Sequence, residues 1–441
     1  MTSTKSIIIL GAGESGASAA RLAKAQGFEV FVSDYGRGVD RFVAELEEAG
    51  IAYELGGHSE ERILAADEVI KSPGIPDTAP IIVALRKQGT PVISEIEFAS
   101  RYAPRGCKIV GITGSNGKTT TTLLTHHLLA FAGVKTLAGG NLGDSFARLL
   151  LDFPPQDVYV LELSSFQLDG IVAFRPDIAA VLNITPDHLD RYEYELEKYA
   201  NAKLRIAQSQ RMDDRLFVLA EPTVLGAAVQ RANPSSQLAT IGAGDITEKT
   251  IKVEGYGFDL NAGQLRGKHN ALNALFAVRI ALALGVNEQE IQLALNSFTP
   301  APHRMEVVAT QDGRTWINDS KATNVDATYF ALDAMDGPTV WIAGGTDKGN
   351  DYDVLTPLVE GKVHTLICMG KDNTKLLEVF TGAIPNILEC HSAQAATVFA
   401  GHRANKGDRV LLSPCCASFD LFKNYIDRGD QFRAAVQKLY A

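Results

Sequence analysis

An α/β fold in three domains, each built on a parallel sheet, is what the sequence predicts, and three observations carry it. Short β-rich apolar runs alternate with helix-compatible stretches, as in KSIIILG followed by ESGASAARLAKAQG. Parallel strands covered on both faces by helices read this way. Breaks fall at SRYAPRGC, with Pro104 and Gly106, and at SFTPAPHR, with two prolines, and the alternation restarts after each. The 441 residues, 46% of them hydrophobic, also exceed one core, because single cores stop growing near about 250–300 residues.

Taken in order, SIIIL and EVFVSD supply strands of a first domain expected over residues 1–104. CKIVGITG, VYVLEL and AAVLNIT supply those of a central domain expected over 105–299, whose last helix ends in EQEIQLALNSF. TWIND, TVWIAGG, VHTLICMG and RVLLSP restart the pattern in a third domain over 300–441. Residues 213–266 read as shorter strands and loops.

A net charge of -10 opposes general affinity for nucleic acid or anionic lipid, since phosphate backbones demand a basic face. An anionic substrate therefore needs basic groups gathered locally. No apolar run approaches the ~18–20 residues of a membrane span, and MTSTKSIIILGAGESG lacks the order of a secretory leader. A cytoplasmic protein without nucleic-acid or membrane partner is expected, and a monomer. The five cysteines are scattered without a CxxC pair, which fits reduced thiols. Adjacent Cys415 and Cys416 read as buried small residues.

The strongest chemical signal is the strand CKIVGITG running into SNGKTTTT and an apolar-periodic helix. Gly114 and Gly117 let backbone amides approach phosphate oxygens at a helix amino terminus. Lys118 reaches the β and γ phosphates, and Thr119 is a ligand for Mg²⁺. Asn116 and Thr120 belong to the same expected nucleotide site, and ATP is the expected ligand. The usual spacing would place glycine where Ile112 stands.

A second glycine loop, GAGESG, follows the first strand and precedes a helix, with Asp34 ending the next strand. Gly11, Gly13, Ser15 and Gly16 suit a diphosphate, and Asp34 a ribose or base. Alone, this loop also fits a nicotinamide-dependent dehydrogenase, which leaves the second phosphate loop unexplained. A nucleotide-diphosphate substrate at the first loop and ATP at the second accounts for both. The first and third domains are therefore expected to be Rossmann-like and the central one P-loop ATPase-like.

GITGSNGKTT, ELSSFQL, NITPDHLDRY, AKLRI, HNALNAL, PHR, NDSKATN and SPCCASFDLFKN occur in this order across the whole chain, which resembles the Mur ligases. The resemblance implies that ATP phosphorylates a substrate carboxylate to an acyl phosphate, which an incoming amine then attacks. SSFQL, NDSKATN and the last segment imply D-glutamate as the amine and UDP-N-acetylmuramoyl-L-alanine as the carboxylate. Folylpolyglutamate synthetase, sharing the ATP loop, is a more distant ligase alternative. A nucleotide switch that binds ATP without consuming it is a third class.

The resemblance also distributes roles. Lys118, Glu162, His188, Lys203 and Arg304 form the expected catalytic set. Two Mg²⁺ sites are implied, with Thr119, Glu162, His188 and a carbamylated Lys203 as ligands. On residue type alone Glu162 is equally a strand-end carboxylate, and Lys203 a lysine on the solvated face of an amphipathic helix. Asn141, Ser164 and Gln167 are assigned to the muramoyl-alanine portion, Gly74 and Asp34 to the uridine diphosphate end. Ser164 fits a helix cap as well, and Gly74 and Asn141 fit turns. Asn270, Asn273, Arg304 and Asp319 are implied for ATP, although the two asparagines also suit a local pair on one helix face. Lys321, Thr323, Lys348, Ser418 and Phe422 are implied for the amino acid. Individually, a solvated Lys348 and a core Phe422 are ordinary.

Overall fold

The computed structural model describes residues 5–220, 224–247, 249–265, 267–347 and 349–440. Its first sheet contains β1 (Ser6–Leu10), β2 (Glu29–Asp34), β3 (Ala52–Leu55), β4 (Glu68–Lys71) and β5 (Val92–Ile93), in the order β3-β2-β1-β4-β5. Every pairing is parallel. β1 lies at the centre, and Ile7, Ile8, Ile9 and Leu10 are buried, as expected of a strand covered on both faces. Its register sets Leu10 beside Ser33 and Lys71. The GAGESG loop thus leaves the sheet where the strand order reverses, the place where such sheets bind ligands.

The second sheet contains β6 (Lys108–Thr113), β7 (Thr136–Gly140), β8 (Val158–Glu162), β9 (Ile178–Val181), β10 (Arg215–Leu219) and β11 (Gln237–Ile241). Its order is β11-β10-β9-β6-β8-β7, again all parallel. β6 runs between β8 and β9, with Ile112 opposite Glu162 and Thr113 opposite Val181. β12 (Thr250–Val253) and β13 (Tyr256–Asp259) form a separate pair. The stretch 213–266, expected as short strands and loops, therefore extends the main sheet by two strands before it becomes irregular.

The third sheet contains β14 (Glu306–Gln311), β15 (Arg314–Asn318), β16 (Thr339–Ala343), β17 (Val363–Met369), β18 (Asn386–Cys390) and β19 (Arg409–Leu412), in the order β14-β15-β19-β16-β17-β18. It is parallel except at β14, which pairs antiparallel with β15 through a two-residue turn of Asp312 and Gly313. Both turn residues have positive φ, 54° and 73°, the conformation that tight hairpins need and glycine supplies without strain. The described residues gather into two compact units: the first and second sheets share one, and the third sheet builds the other.

Within the first unit, buried carboxylates of the helix Glu95–Ser100 hold the two sheets together. Glu97 Oε2 accepts the backbone N–H groups of Val172, Ala173 and Phe174 at 2.8, 2.9 and 2.8 Å. Glu95 Oε1 accepts the Ala147 N–H at 2.6 Å, while its buried Oε2 has no hydrogen-bond partner among the described residues. Burial pushes the Glu95 carboxyl up to about 8; the Ala147 bond opposes this and the Glu14 charge adds to it. Between about pH 4.5 and about pH 8 the unfolded chain loses this proton while the folded chain keeps it, so stability falls as pH rises. Glu95→Gln should remove that slope. In urea titrations its stability relative to the parent should grow across this window, by up to about 1.4 kcal/mol per pH unit; a difference independent of pH would contradict the assignment.

Candidate active site

The turn after β6 builds the nucleotide loop. Gly114 and Gly117 take φ of 153° and 83°, and Gly117 caps the helix Lys118–Phe131. The Lys118 ammonium donates to the carbonyls of Gly114 and Ser115 at 2.8 and 2.7 Å, which keeps its charge at the mouth of the loop. Thr120 is buried in the first helical turn. The loop is braced from the end of β9: the Asn183 carbonyl oxygen of the side chain accepts the Asn116 N–H at 2.8 Å, and its amide donates to the Asn116 carbonyl at 3.1 Å. The Ser115 hydroxyl donates to the Thr185 carbonyl and accepts the Thr185 N–H, both at 2.9 Å. The Asn273 amide occupies the space that a side chain on Gly117 would need. Asn270 is also buried.

Glu162, buried at the end of β8, joins two of these parts. The Thr119 hydroxyl donates to its Oε2 at 2.6 Å, and the Asn141 side-chain amide donates to its Oε1 at 2.8 Å. Hard oxygen donors in this arrangement suit Mg²⁺. Lys203 is only 1% exposed on the helix Leu196–Leu204, with its ammonium 4.5 Å from the Tyr199 ring centre. Burial, with the charge of Lys118 adding, drives its pKa well below the usual lysine range against the pull of Asp187, Glu162 and Asp169. The solvated-face reading of Lys203 is thus wrong: the residue stands on the buried stripe of Tyr199, Ala200 and Ile206, where a charged residue type pointed to solvent and the apolar pattern did not. His188 has left-handed backbone (φ 52°), sits edge-on to Phe166 at 5.2 Å and lies 3.6 Å from Asp187. Among the described residues no three His, Cys, Asp or Glu side chains gather as a metal cluster.

At the first sheet, Gly13 precedes the helix Glu14–Ala25 and faces open space, with Ser15 in the first turn. Gly16 packs on the Gly11 carbonyl. Asp34 accepts the Ala12 and Gly36 N–H groups at 2.6 and 2.7 Å, so its carboxylate shapes the loop. Gly74 is exposed; its carbonyl accepts from Arg191 at 3.3 Å, and those of Pro73 and Ile75 accept from the same guanidinium at 3.4 Å. Ser164 caps the helix Ser165–Leu168 in a reciprocal box with Gln167, the structural use that serine at a strand end also allowed.

In the second unit, Asp319 follows β15 and is buried. It accepts the Met305 N–H at 3.2 Å and the Ser413 hydroxyl at 3.0 Å. Burial pushes it up to about 7, against these bonds and the charges of Arg304 and Arg428. The Arg304 charge thus acts on Asp319. Lys321 lies over the Tyr425 ring at 4.0 Å, and the Thr323 N–H donates to the Lys321 carbonyl at 2.8 Å. Ser418 is buried; Phe422 packs in the core with Trp316 and Val410, which favours the core reading of that residue. Lys348 lies outside the described residues. Cys415 and Cys416 are buried, and burial raises both thiols, Cys416 to about 11, so neither is an activated nucleophile.

Two features escaped the sequence reading. Asn183 and Thr185 brace the loop from a strand end, where a polar residue carries no periodic signal. Arg428, 1% exposed, donates to the Ser320 hydroxyl and carbonyl at 3.0 and 2.9 Å and to the Cys416 carbonyl at 3.2 Å. It also reaches the Gly344 carbonyl at 3.4 Å. One guanidinium so ties the loops after β15, β16 and β19. Its signal was legible: Arg428 starts the stripe continued by buried Phe432, Ala435 and Val436, and a charge on an apolar stripe needs partners.

Family models for the Mur ligase MurD-like N-terminal domain, the Mur ligase middle domain and the Mur ligase glutamate ligase domain match residues 5–94, 112–281 and 303–416. A relative from Cytophaga hutchinsonii named UDP-N-acetylmuramoylalanine--D-glutamate ligase is 48% identical over 99% of this chain and 99% of its own. One of the same name from Bacteroides fragilis is 46% identical over 99% of this chain and all of its own length. Among solved structures, MurF from Acinetobacter baumannii aligns with TM-score 0.64 at 18% identity, covering 98% of this chain and 93% of that one. MurF ligase from Thermotoga maritima in complex with ADP aligns with TM-score 0.61 at 16% identity, covering 93% and 96%.

The brace on the loop gives a direct test. Asn183→Ala removes both side-chain bonds to Asn116, and ATP binding measured by calorimetry should weaken roughly tenfold, about 1.4 kcal/mol, with little change in melting temperature. Unaltered ATP affinity would show that the brace is dispensable.

Proposed function

This chain belongs to the Mur ligase family, and from that membership we propose that it adds D-glutamate to UDP-N-acetylmuramoyl-L-alanine with cleavage of ATP. The family is ATP-dependent, and the step belongs to peptidoglycan precursor synthesis. The observation that carries the reading is the meeting of Thr119 and Asn141 on Glu162: the nucleotide loop and a loop assigned to the acceptor substrate share one carboxylate. That is the adjacency needed to pass a phosphoryl group from ATP to a substrate carboxylate.

In this reading the loop amides and Lys118 hold the β and γ phosphates, and Arg304 neutralises charge that develops during transfer. The substrate carboxylate becomes an acyl phosphate; the amine of D-glutamate attacks it, and phosphate leaves. Lys321, Thr323 and Ser418, with Lys348, supply cationic and hydroxyl donors for a dicarboxylate. Gly13, Ser15, Asp34 and Gly74 serve the uridine diphosphate end, and Asn141, Ser164 and Gln167 the muramoyl-alanine end. Asn270, Asn273 and Asp319 serve ATP. Domain limits are kept at 104 and 299 in this reading, with one of the three large sheets in each domain.

Mg²⁺, when bound, supplies positive charge against the phosphates. Thr119 and Glu162 fit its preference for oxygen, and His188 is assigned to a second ion. A carbamate on Lys203 would add a carboxylate to this group of ligands, and the burial of that amine, with Glu162 and Asp187 acting on it, supports this assignment. No helix among the described residues is long and apolar enough to cross a membrane, and five free thiols fit a cytoplasmic place for the reaction.

Phosphate release with ATP, Mg²⁺ and UDP-N-acetylmuramoyl-L-alanine should appear on adding D-glutamate and not with L-glutamate, L-lysine or meso-diaminopimelate. Release driven by another of these would move the substrate, and none from any, in protein that binds ATP, would reject ligase activity. Labelling with ¹³C-bicarbonate should give a carbamate carbon resonance that Lys203→Arg abolishes. A spectrum without that resonance, or one equally strong in the variant, would rule out the modified lysine.

A further inference from the structure

The first-sheet glycine loop carries an acidic residue, Glu14, between Gly13 and Ser15, as the first residue of the helix Glu14–Ala25. A carboxylate there competes with any diphosphate for the helix amino terminus. Its side chain instead turns to the second sheet. Oε1 accepts the Ser145 N–H at 3.0 Å and Arg148 Nε at 3.0 Å. Arg148, 9% exposed, also pairs with Glu45 at 2.6 Å and with Asp152 at 3.3 Å, so Glu14 is one of several carboxylates held on this guanidinium in an ionic network.

What Glu14 holds is the far end of the 141–145 loop. That loop has little slack: the Gly140 N–H donates to the Asp144 carbonyl and the Asn141 N–H to the Glu162 carbonyl, both at 2.8 Å. A side chain on Gly139 would strike the Asp144 carbonyl, and one on Gly140, at φ 96°, would strike that of Glu162. The near end of the loop carries Asn141, whose amide bonds Glu162. A displacement at Ser145 is therefore passed to Asn141 and to the carboxylate that Thr119 shares.

We propose that Glu14 is a positioning residue for the ligase reaction, tying the first-sheet diphosphate loop to the 141–145 loop so that grip on the nucleotide-linked substrate and placement of Asn141 against Glu162 are one arrangement. This rests on the function proposed above. Glu14 touches no reacting atom; it acts through Ser145 and Arg148.

The test uses the full chain with Glu14→Ala and Glu14→Gln. KM for UDP-N-acetylmuramoyl-L-alanine, ATP and D-glutamate is measured alongside kcat, together with calorimetric binding of the UDP-linked substrate without ATP. Glu14→Ala should raise KM and Kd for that substrate about fivefold and lower kcat, leaving KM for the other two substrates within about twofold. Glu14→Gln keeps an acceptor oxygen for Ser145 and Arg148 and should recover most of the loss. Unchanged constants, equal weakening toward all three substrates, or a glutamine variant no better than alanine would each overturn the role. If the parent itself releases no phosphate with D-glutamate, the ligase reading falls, while calorimetry still decides whether Glu14 governs binding of the UDP-linked molecule.

Discussion

Glu162 is the constraint on which the first unit turns. A buried acid group either keeps its proton, as Glu95 does, or needs bonds to its oxygens, and at Glu162 the Thr119 hydroxyl and the Asn141 amide bond one oxygen each. The sheet makes this meeting geometrically necessary. β6 and β8 are neighbours in register, so the loop that leaves β6 and the carboxylate that ends β8 emerge side by side. β7 pairs on the other side of β8, with Gly140 opposite Glu162, and delivers Asn141 one residue later. Three strands thus converge on one acid group.

The second unit solves a similar problem with the opposite charge. Among the described residues Arg428 has no carboxylate within its hydrogen-bond set; backbone carbonyls and a hydroxyl accept from it, and burial draws its pKa down to about 10. Carbonyls at strand ends point out of the sheet unpaired, and a guanidinium with its fork of donors can take several at once. Gly429 beside it leaves room for the His303 ring, and the Lys321 N–H donates to the His303 carbonyl at 3.0 Å. The last helix therefore places both Arg304, next to His303, and the segment bearing Lys321.

Strand, loop and helix lie consecutively in SNGKTTTT, so the nucleotide loop was legible from the chain alone; so were the central strands, whose apolar runs are continuous. The antiparallel edge of the third sheet was not anticipated: Asp312-Gly313 is a hairpin signal, but the strand before it, EVVATQ, is half exposed and reads weakly. Contacts made across long separations were not legible. Asn183 lies 67 residues from Asn116, and Lys203, whose charge reads as solvated although Tyr199 and Ala200 share its helix face, is 1% exposed. Residue types foretold the shapes of loops better than which distant side chain would fill them. Ser164 shows the converse, since the local reading as a cap is what the structure contains.

The way Arg428 grips three loops bears on how this chain can vary in length. Each loop is measured from one buried point by bonds to Ser320, Gly344 and Cys416, so adding or deleting a residue in any of them shifts a carbonyl out of reach and leaves part of the guanidinium unsatisfied. At the exposed turn of Glu254-Gly255 between β12 and β13, by contrast, a side chain on Gly255 would meet nothing within 4 Å among the described residues. Natural insertions and grafted tags should accumulate at such outer turns, while the three loops keep their residue counts even where their side chains diverge.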